Sequence, residues 1–293
     1  MRVLVVGATG FVGSRLVEAL VEAEHEVVAF SRSATPSDFP TGVEVFNGDF
    51  AEPASLAGFC DDIDVAYYLI HSLTAENFAD LDRTYARRFR ERASAAGVDR
   101  VVYLSGISGD ERDLSPHLAS RREVESVLES GTFDLTVLRA AIIIGAGSSS
   151  FRIVDDLTDR LPLMTVPKWV RTPCQPIGVG DAVEYLVGVL DAPETRGGIY
   201  DIGAESEWTY ESLLNVTAEQ KGKRIRIVPV PVMSPELSSH WLRLTTDVKY
   251  AIARPLVESM RNPVTVDPER DLQAVVPIDR TPVDEAIRQA LAE

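Results

Sequence analysis

Gly7, Gly10 and Gly13 recur at intervals of three, directly after an apolar β-branched run, Val3 to Val6, and at the start of a helical pattern from Phe11 to roughly Glu22. A Gly-x-x-Gly-x-x-Gly turn between a strand and a helix is suited to holding a pyrophosphate. Gly7 supplies the tight turn, Gly10 lets the backbone approach the phosphates, and Gly13 lets the helix pack closely on the strand. The free N–H groups and dipole of the helix N-terminus then face the anion. Thr9, Phe11 and Val12 lie in the same turn and are expected to touch the same ligand. An ordinary flexible turn would explain none of the three glycine positions.

The end of the second strand decides which dinucleotide fits. An acid there would bond both ribose hydroxyls and reject a 2′-phosphate. This chain carries Phe30-Ser31-Arg32-Ser33. Arg32 offers a planar cation to a phosphate, and Ser31 and Ser33 offer hydroxyls. One charge-assisted hydrogen bond contributes roughly 1.5–3 kcal/mol, so Arg32 favours NADP(H) over NAD(H) by about ten- to hundredfold; a solvated surface arginine is the alternative. Arg15, one turn into the first helix, is positioned by sequence to assist. In Asn47-Gly-Asp49-Phe50, Asp49 either accepts from the adenine amino group, with Phe50 lining that pocket, or serves as a plain turn former.

These residues need a scaffold, and the pattern supplies one. Strands are expected at Glu26 to Phe30, Val43 to Phe46, Val65 to Ile70, Arg100 to Leu104, Leu135 to Leu138 and Ile142 to Ile144. Helices are expected at about Ala75 to Ala96, closed by Gly97, and from about Leu118 to Ser130. Near-continuous apolar strands separated by helices imply an α/β fold, a Rossmann-type doubly wound parallel sheet covered on both faces. After about residue 150 prolines punctuate the chain. Asp181 to Leu190 then looks helical, and Gly198 to Ile202 looks like a late strand of the same sheet. The expected organisation is a dinucleotide-binding core over 1–150, completed by 175–203, with 151–174 and 204–293 forming a smaller substrate-facing lobe.

A formal charge of -16 argues against nucleic acid as a partner and against an anionic membrane surface. Of the 29 basic residues, only Lys168, Lys221, Lys223 and Lys249 are lysines. Excess acid with little lysine suggests a halophilic, salt-adapted cytoplasm. A GC-rich genome also explains the arginines, though not the acid. Cys60 and Cys174 match no metal or redox spacing, so no metal site is expected and both read as small core residues in a reducing compartment. With a strand starting at residue 2 or 3 no leader is expected, and no apolar run approaches the ~18 residues of a membrane span, so a soluble, cytoplasmic protein is expected.

Over essentially its full length the chain resembles the short-chain dehydrogenase/reductase superfamily in its extended and atypical branches. The N-terminal glycines, the Gly48-Asp49 turn and the Ser105 segment carry the resemblance. Tyr103 to Ser108 and Leu138 to Gly145 are similar to the NmrA-like, NAD(P)H-binding group, and the NADPH-holding accessory subunit of respiratory complex I is a relative by type. The resemblance implies cofactor contacts at Leu69 and Ser105, at the ends of the fourth and fifth strands. It also implies a Tyr-x-x-x-Lys pair on the following helix, where i, i+4 spacing puts both on one face. The aligned segment here is His117-Leu-Ala-Ser-Arg121, and no Tyr-x-x-x-Lys occurs anywhere else in the chain.

His117 is therefore read either as an imidazolium that protonates a carbonyl oxygen or as a local polar group at a helix entrance. Arg121 is read as a contact to the cofactor ribose. His71 either meets the nicotinamide side or caps a loop. Lys168, Trp169 and Arg171 border the substrate cleft in the family and suit an anionic or aromatic group, with a solvated loop as the competing reading. The apolar stretches His240 to Leu244 and Tyr250 to Val257 suit a lipid-like or quinone substrate, a peripheral membrane or protein partner, or simple core completion. The leading expectation is an NADPH-dependent reductase of a small or isoprenoid-like carbonyl or alkene. A non-catalytic NADP(H)-binding sensor or assembly subunit stands second, and a nucleotide-sugar epimerase or dehydratase third.

Overall fold

The computed structural model describes residues 1–72, 75, 77–109, 114–230, 256 and 258–293. The β-branched residues Val3 to Val6 are excluded from solvent on both faces, which requires their strand to sit inside the sheet. Strand β1 (Arg2–Val6) lies between β4 (Val65–Tyr68) and β2 (Glu26–Ser31), with β3 (Glu44–Asn47) beyond β2. On the other side follow β5 (Arg100–Gly106), β6 (Asp134–Ala140) and β11 (Ile199–Ile202), giving the order β11-β6-β5-β4-β1-β2-β3. Every pairing is parallel. The chain runs outward from β1 to β3 and then crosses back to β4, so the switch point of the sheet falls between β1 and β4, where such folds open a ligand crevice.

Helices α1 (Phe11–Glu22) and α5 (Val179–Gly188) cover one face, around Leu16, Val17, Leu20, Tyr185 and Leu186. Helices α2 (Phe78–Ala96) and α3 (Pro116–Glu129) cover the other, around Phe59, Phe89, Tyr103 and Leu128. Gly97 ends α2 in the left-handed conformation at φ 76°, as expected of a C-terminal glycine. Ser115 caps α3 by accepting from Leu118 N–H at 3.3 Å.

The expected strand limits shift by one or two residues, and two of the differences bear on the crevice and the lobe. The fourth strand stops at Tyr68 rather than Ile70, since Leu69 and Ile70 leave the sheet to wall the crevice. The run Ile142 to Ile144 does not join the main sheet. Its residues Ile143–Ile144 form β7, which pairs instead with β10 (Ile177–Gly178). The expected late strand is β11, added parallel to β6.

A third apolar core lies over the carboxyl ends of the strands. It is built on α4 (Ser149–Arg160), β8 (Leu163–Pro167), α6 (Tyr210–Gln220) and α7 (Val283–Ala292). Strand β13 (Arg226–Val230) runs parallel to β8, and the two-residue β9 (Pro173–Cys174) and β12 (Trp208–Thr209) pair antiparallel. The C-terminal segment does not stay in this lobe. Leu272 is fully buried in the core under α1 and α5, Thr281 Oγ1 donates to Asp181 at 2.7 Å, and Arg280 Nε donates to Tyr185 Oη at 2.9 Å. Polar groups of α5 that face inward thus recruit the distal chain onto the nucleotide-binding layer.

Arg100 sits at the opposite end of the sheet with 1% of its surface exposed. It donates to Thr136 Oγ1 (2.9 and 3.1 Å), Thr195 Oγ1 (2.6 Å) and the Val189 carbonyl (2.6 Å). The guanidinium faces carbonyls just past the C-terminal end of α5, where the helix dipole favours a cation. Replacing Arg100 by Met removes its hydrogen bonds to Thr136, Thr195 and Val189, each worth about 1.5–3 kcal/mol from a charged donor, while relieving the cost of a buried cation. The expected loss is on the order of 3 kcal/mol, read from denaturant midpoints; unchanged stability would refute the assignment of Arg100 as the tie between α5 and the sheet.

Candidate functional site

Gly7 ends β1 with φ +96°, a conformation that favours glycine. Gly10 N–H donates to the Gly7 carbonyl at 2.9 Å and closes the turn. A Cβ on Gly13 would stand 2.1 Å from the Gly7 carbonyl oxygen and 2.9 Å from its carbon. Helix α1 therefore starts in contact with the backbone of the turn, and its first N–H groups carry no side-chain cap. That cradle fits a pyrophosphate and leaves no room for a side chain within it. Gly13→Ala must push the turn open, so nucleotide affinity falls by at least about tenfold with the circular dichroism spectrum retained; titration with NADPH checks this.

On the adenosine side a cavity of about 590 Å³ is bounded by Thr9, Ser31, Arg32, Asp49, Phe50 and Leu69, among others. Arg32 is exposed at its rim, without a partner among the described residues, whereas Ser31 is buried and its Oγ accepts from Ser33 N–H at 3.4 Å. Asp49 serves the turn with one oxygen, Oδ1 accepting from Ala51 N–H at 2.8 Å. The ring of Phe50 belongs to an aromatic cluster, 5.0 Å from Phe30 and 5.7 Å from Phe59. Arg15 is a correction. It donates to the carbonyls of Phe11 and Ala146 and pairs with Glu293 at 2.9 Å, so it is held away from Arg32 rather than assisting it.

The crevice continues past Gly7, Gly10, Leu69 and His71, which border both cavities, into a second space of about 280 Å³. Here Phe11, Val12, Gly13, Ser105, His117, Arg121 and Leu256 converge with Ser148, Ser149 and Ser150 at the start of α4. His117 sits one turn before Arg121 on α3, as the i, i+4 spacing requires. Arg121 Nη1 donates to Tyr103 Oη at 3.5 Å. Burial works against the Arg121 cation, but Tyr103, Asp82 and Tyr68 offset it and raise its pKa. Burial, then Arg121, then His71 push the His117 imidazole well below its ordinary value, and burial and Arg121 lower His71 likewise. Both shifts disfavour the imidazolium, one of the two readings of His117.

Sequence reasoning missed the residues behind this wall. Asp82 of α2 accepts from Ser72 N–H at 2.7 Å and from Ser120 Oγ at 3.2 Å, tying the loop of His71 to the helix of His117 and Arg121. Ser105 turns its hydroxyl away from the crevice and donates to buried Glu125 at 2.7 Å, and Glu125 also accepts from Arg139 and Arg122. Burial pushes the Glu125 carboxyl up, while Ser105 and Arg122 pull it down. Nothing in the spacing marks Asp82 or Glu125, because each is one more charge on a charge-rich helix. Ser148 carried a signal, a small polar residue before a helix, and it does cap α4 by accepting from Phe151 N–H at 3.3 Å.

The other expected residues lie elsewhere. Arg171 is exposed and pairs with Glu211 at 2.8 Å, and it does not border either cavity. The backbone of Lys168–Arg171 forms a 3-10 turn, while the side chains of Lys168 and Trp169 lie outside the described residues. So do His240 to Leu244 and, apart from Leu256, Tyr250 to Val257. Cys60 and Cys174 are buried, and burial pushes both thiols up to about 12. Among the described residues no group of three or more His, Cys, Asp or Glu is placed to hold a metal ion, and no helix is long and apolar enough to cross a membrane.

Residues 7–167 match a family model described as NAD(P)H-binding. The chain belongs to this NAD(P)H-binding family. Among curated relatives, a ceramide reductase of Caulobacter vibrioides is 27% identical over 236 residues, covering 78% of this chain and 73% of that protein. The photosystem II assembly factor Ycf39 of Synechocystis is 22% identical over 239 residues, covering 79% and 71%. The Citrobacter triphenylmethane reductase solved with NADP(H) superposes with a TM-score of 0.79 at 19% identity over 99% of this chain and all of that one. A nucleoside-diphosphate-sugar epimerase of Staphylococcus aureus gives 0.81 at 15% identity over 98% and 100%. The Rossmann-type fold and the resemblance to atypical short-chain dehydrogenase/reductases both hold.

The histidines make the wall testable. A depressed folded-state pKa means the unfolded chain binds more protons once pH falls below about 6.5, so stability must drop as pH falls through that value. NMR titration is expected to place both imidazoles below the ordinary histidine midpoint. A His117 midpoint at or above it would show that the ring charges at neutral pH after all.

Proposed function

We propose that this protein is an NADPH-dependent reductase of a small or isoprenoid-like carbonyl or alkene. The observation that carries the reading is the continuity of one crevice. It runs from Arg32 at the end of β2, past the glycine cradle, to a pocket walled by His71, His117 and Arg121. A cation with serine hydroxyls and no acid at the ribose position suits a 2′-phosphate. Asp49 keeps Oδ2 for an adenine amino group, and Phe50 backs that pocket.

The glycine turn and Arg32 would hold NADPH, which when bound would supply a hydride in the space bordered by His117 and Arg121. Of the chain's own groups there, His117 donates a hydrogen bond to the substrate oxygen and Arg121 offsets the negative charge that grows on it as hydride arrives. Tyr103 and Asp82 keep the guanidinium in place. The proton that completes the reduction comes from water, since the shift at His117 disfavours the imidazolium that would otherwise supply it. Alkene reduction fits this inventory well, because it does not need the tyrosine that family reductases use. Leu256 adds an apolar surface to the wall.

A second reading has a specific observation in its favour. His117 and Arg121 stand where the Tyr and Lys of active reductases would be, and one relative is named an assembly factor. In that reading the protein holds NADP(H) without turnover.

Two measurements test the proposal. Calorimetry is expected to show NADPH binding about ten- to hundredfold tighter than NADH, with Arg32→Asp removing the preference; equal affinities in the wild type would sink the cofactor assignment. Transfer of deuterium from the 4-position of labelled NADPH to carbonyl or alkene test compounds is expected, and His117→Phe should slow it about 10²–10³-fold. Full retention of label in the nucleotide across a broad panel would favour the nucleotide-holding reading.

A further inference from the structure

The chain carries 45 acidic residues against 29 lysines and arginines, yet no aspartate or glutamate lines the 280 Å³ cavity among the described residues. Its polar wall consists of His71, His117, Arg121 and serines. The carboxylate that serves this wall, Asp82, lies behind it with 5% of its surface exposed, and its oxygens are taken by Ser72 N–H and the Ser120 hydroxyl. Arg121 makes its hydrogen bond to the neutral Tyr103 hydroxyl, and no ion pair to it is present among the described residues. A strongly acidic protein has therefore kept one pocket free of acid and left a fixed guanidinium facing it. Asp82 and the tyrosines behind the wall offset the desolvation of this cation, so it stays charged and able to pair with an anion in the pocket.

We propose that the substrate carries a carboxylate, bound by Arg121 with the imidazole N–H of His71, beside the carbon that receives hydride. The substrate class is a 2-oxo or α,β-unsaturated acid. A guanidinium presents parallel N–H donors that match the two oxygens of a carboxylate. One fixed cation suits a monoanion; a phosphate dianion would call for a second cation. The serine hydroxyls at the start of α4 border the same space and add donors to the anion. An anion at this place also complements the positive charge that a nicotinamide gains on giving up hydride. The assignment rests on the reductase reading for the reacting carbon, but binding of the anion needs no turnover.

The test uses the full chain saturated with NADP⁺ and titrated calorimetrically with hexanoate and with hexanamide, its neutral isostere. Hexanoate is expected to bind at least about tenfold tighter than hexanamide. Arg121→Gln should erase the difference and Arg121→Lys should keep part of it. NADP⁺ affinity is measured on each variant, and if Arg121→Gln fails to hold the nucleotide, the wild-type comparison decides. Equal binding of acid and amide, or a preference that survives in Arg121→Gln, overturns the proposal. A parallel assay offers 2-oxohexanoate and 2-hexenoate with NADPH. Hexanoate binding without reduction of either leaves the anion site standing and counts against the reductase. Reduction of neutral ketones without hexanoate binding supports the reductase and removes the carboxylate.

Discussion

The missing side chain at Gly13 is the constraint on which the rest of the site depends. Because nothing separates its Cα from the Gly7 carbonyl, α1 begins against the backbone of the turn. Its N-terminal N–H groups then open directly onto the crevice between β1 and β4. A methyl group there would have to displace backbone atoms, not a flexible side chain. The same contact sets where Phe11 and Val12 lie and fixes the wall shared by both cavities.

Around this rigid centre the protein places charge with care. Two cations buried in the sheet, Arg100 and Arg139, are answered in different ways. Arg100 finds hydroxyls and a carbonyl, while Arg139 finds Glu125. Arg121 is the exception, being held by a hydroxyl and facing open space. Burial and its positive field push the His71 and His117 imidazoles below their ordinary value. The result is a pocket of hydrogen-bond donors with a single permanent charge, better suited to steadying an oxyanion than to supplying a proton.

Asp82 gives this arrangement its stiffness. One carboxylate joins the loop after β4 to α3, so the two sides of the crevice that carry His71 and Arg121 are tied through α2. A ligand entering between them meets walls whose positions are already fixed, which lowers the ordering cost of binding. The distal segment around Leu272 and Arg280 adds a second tie, from the C-terminal lobe back to α5.

The sequence by itself determined the glycine turn, the parallel sheet and the place of Arg32, because each is a local pattern. Spacing in a turn, runs of buried β-branched residues and the residue after a strand are properties of consecutive positions. It also located His117 and Arg121 on one helix face, since i, i+4 spacing is a property of the helix alone. It gave the wrong partner for Arg15, which the fold hands to Ala146 and Glu293, and it left Asp49 undecided between turn and ligand. Tertiary structure alone decided that Ser105 points to Glu125, that Asp82 stands behind the site and that the surroundings of His117 disfavour its cation. Those outcomes depend on contacts between α2, α3 and the sheet, and on the loss of solvent that packing brings. Charge state and hydrogen-bond partner are set by what surrounds a group in space, and no periodicity along the chain encodes that.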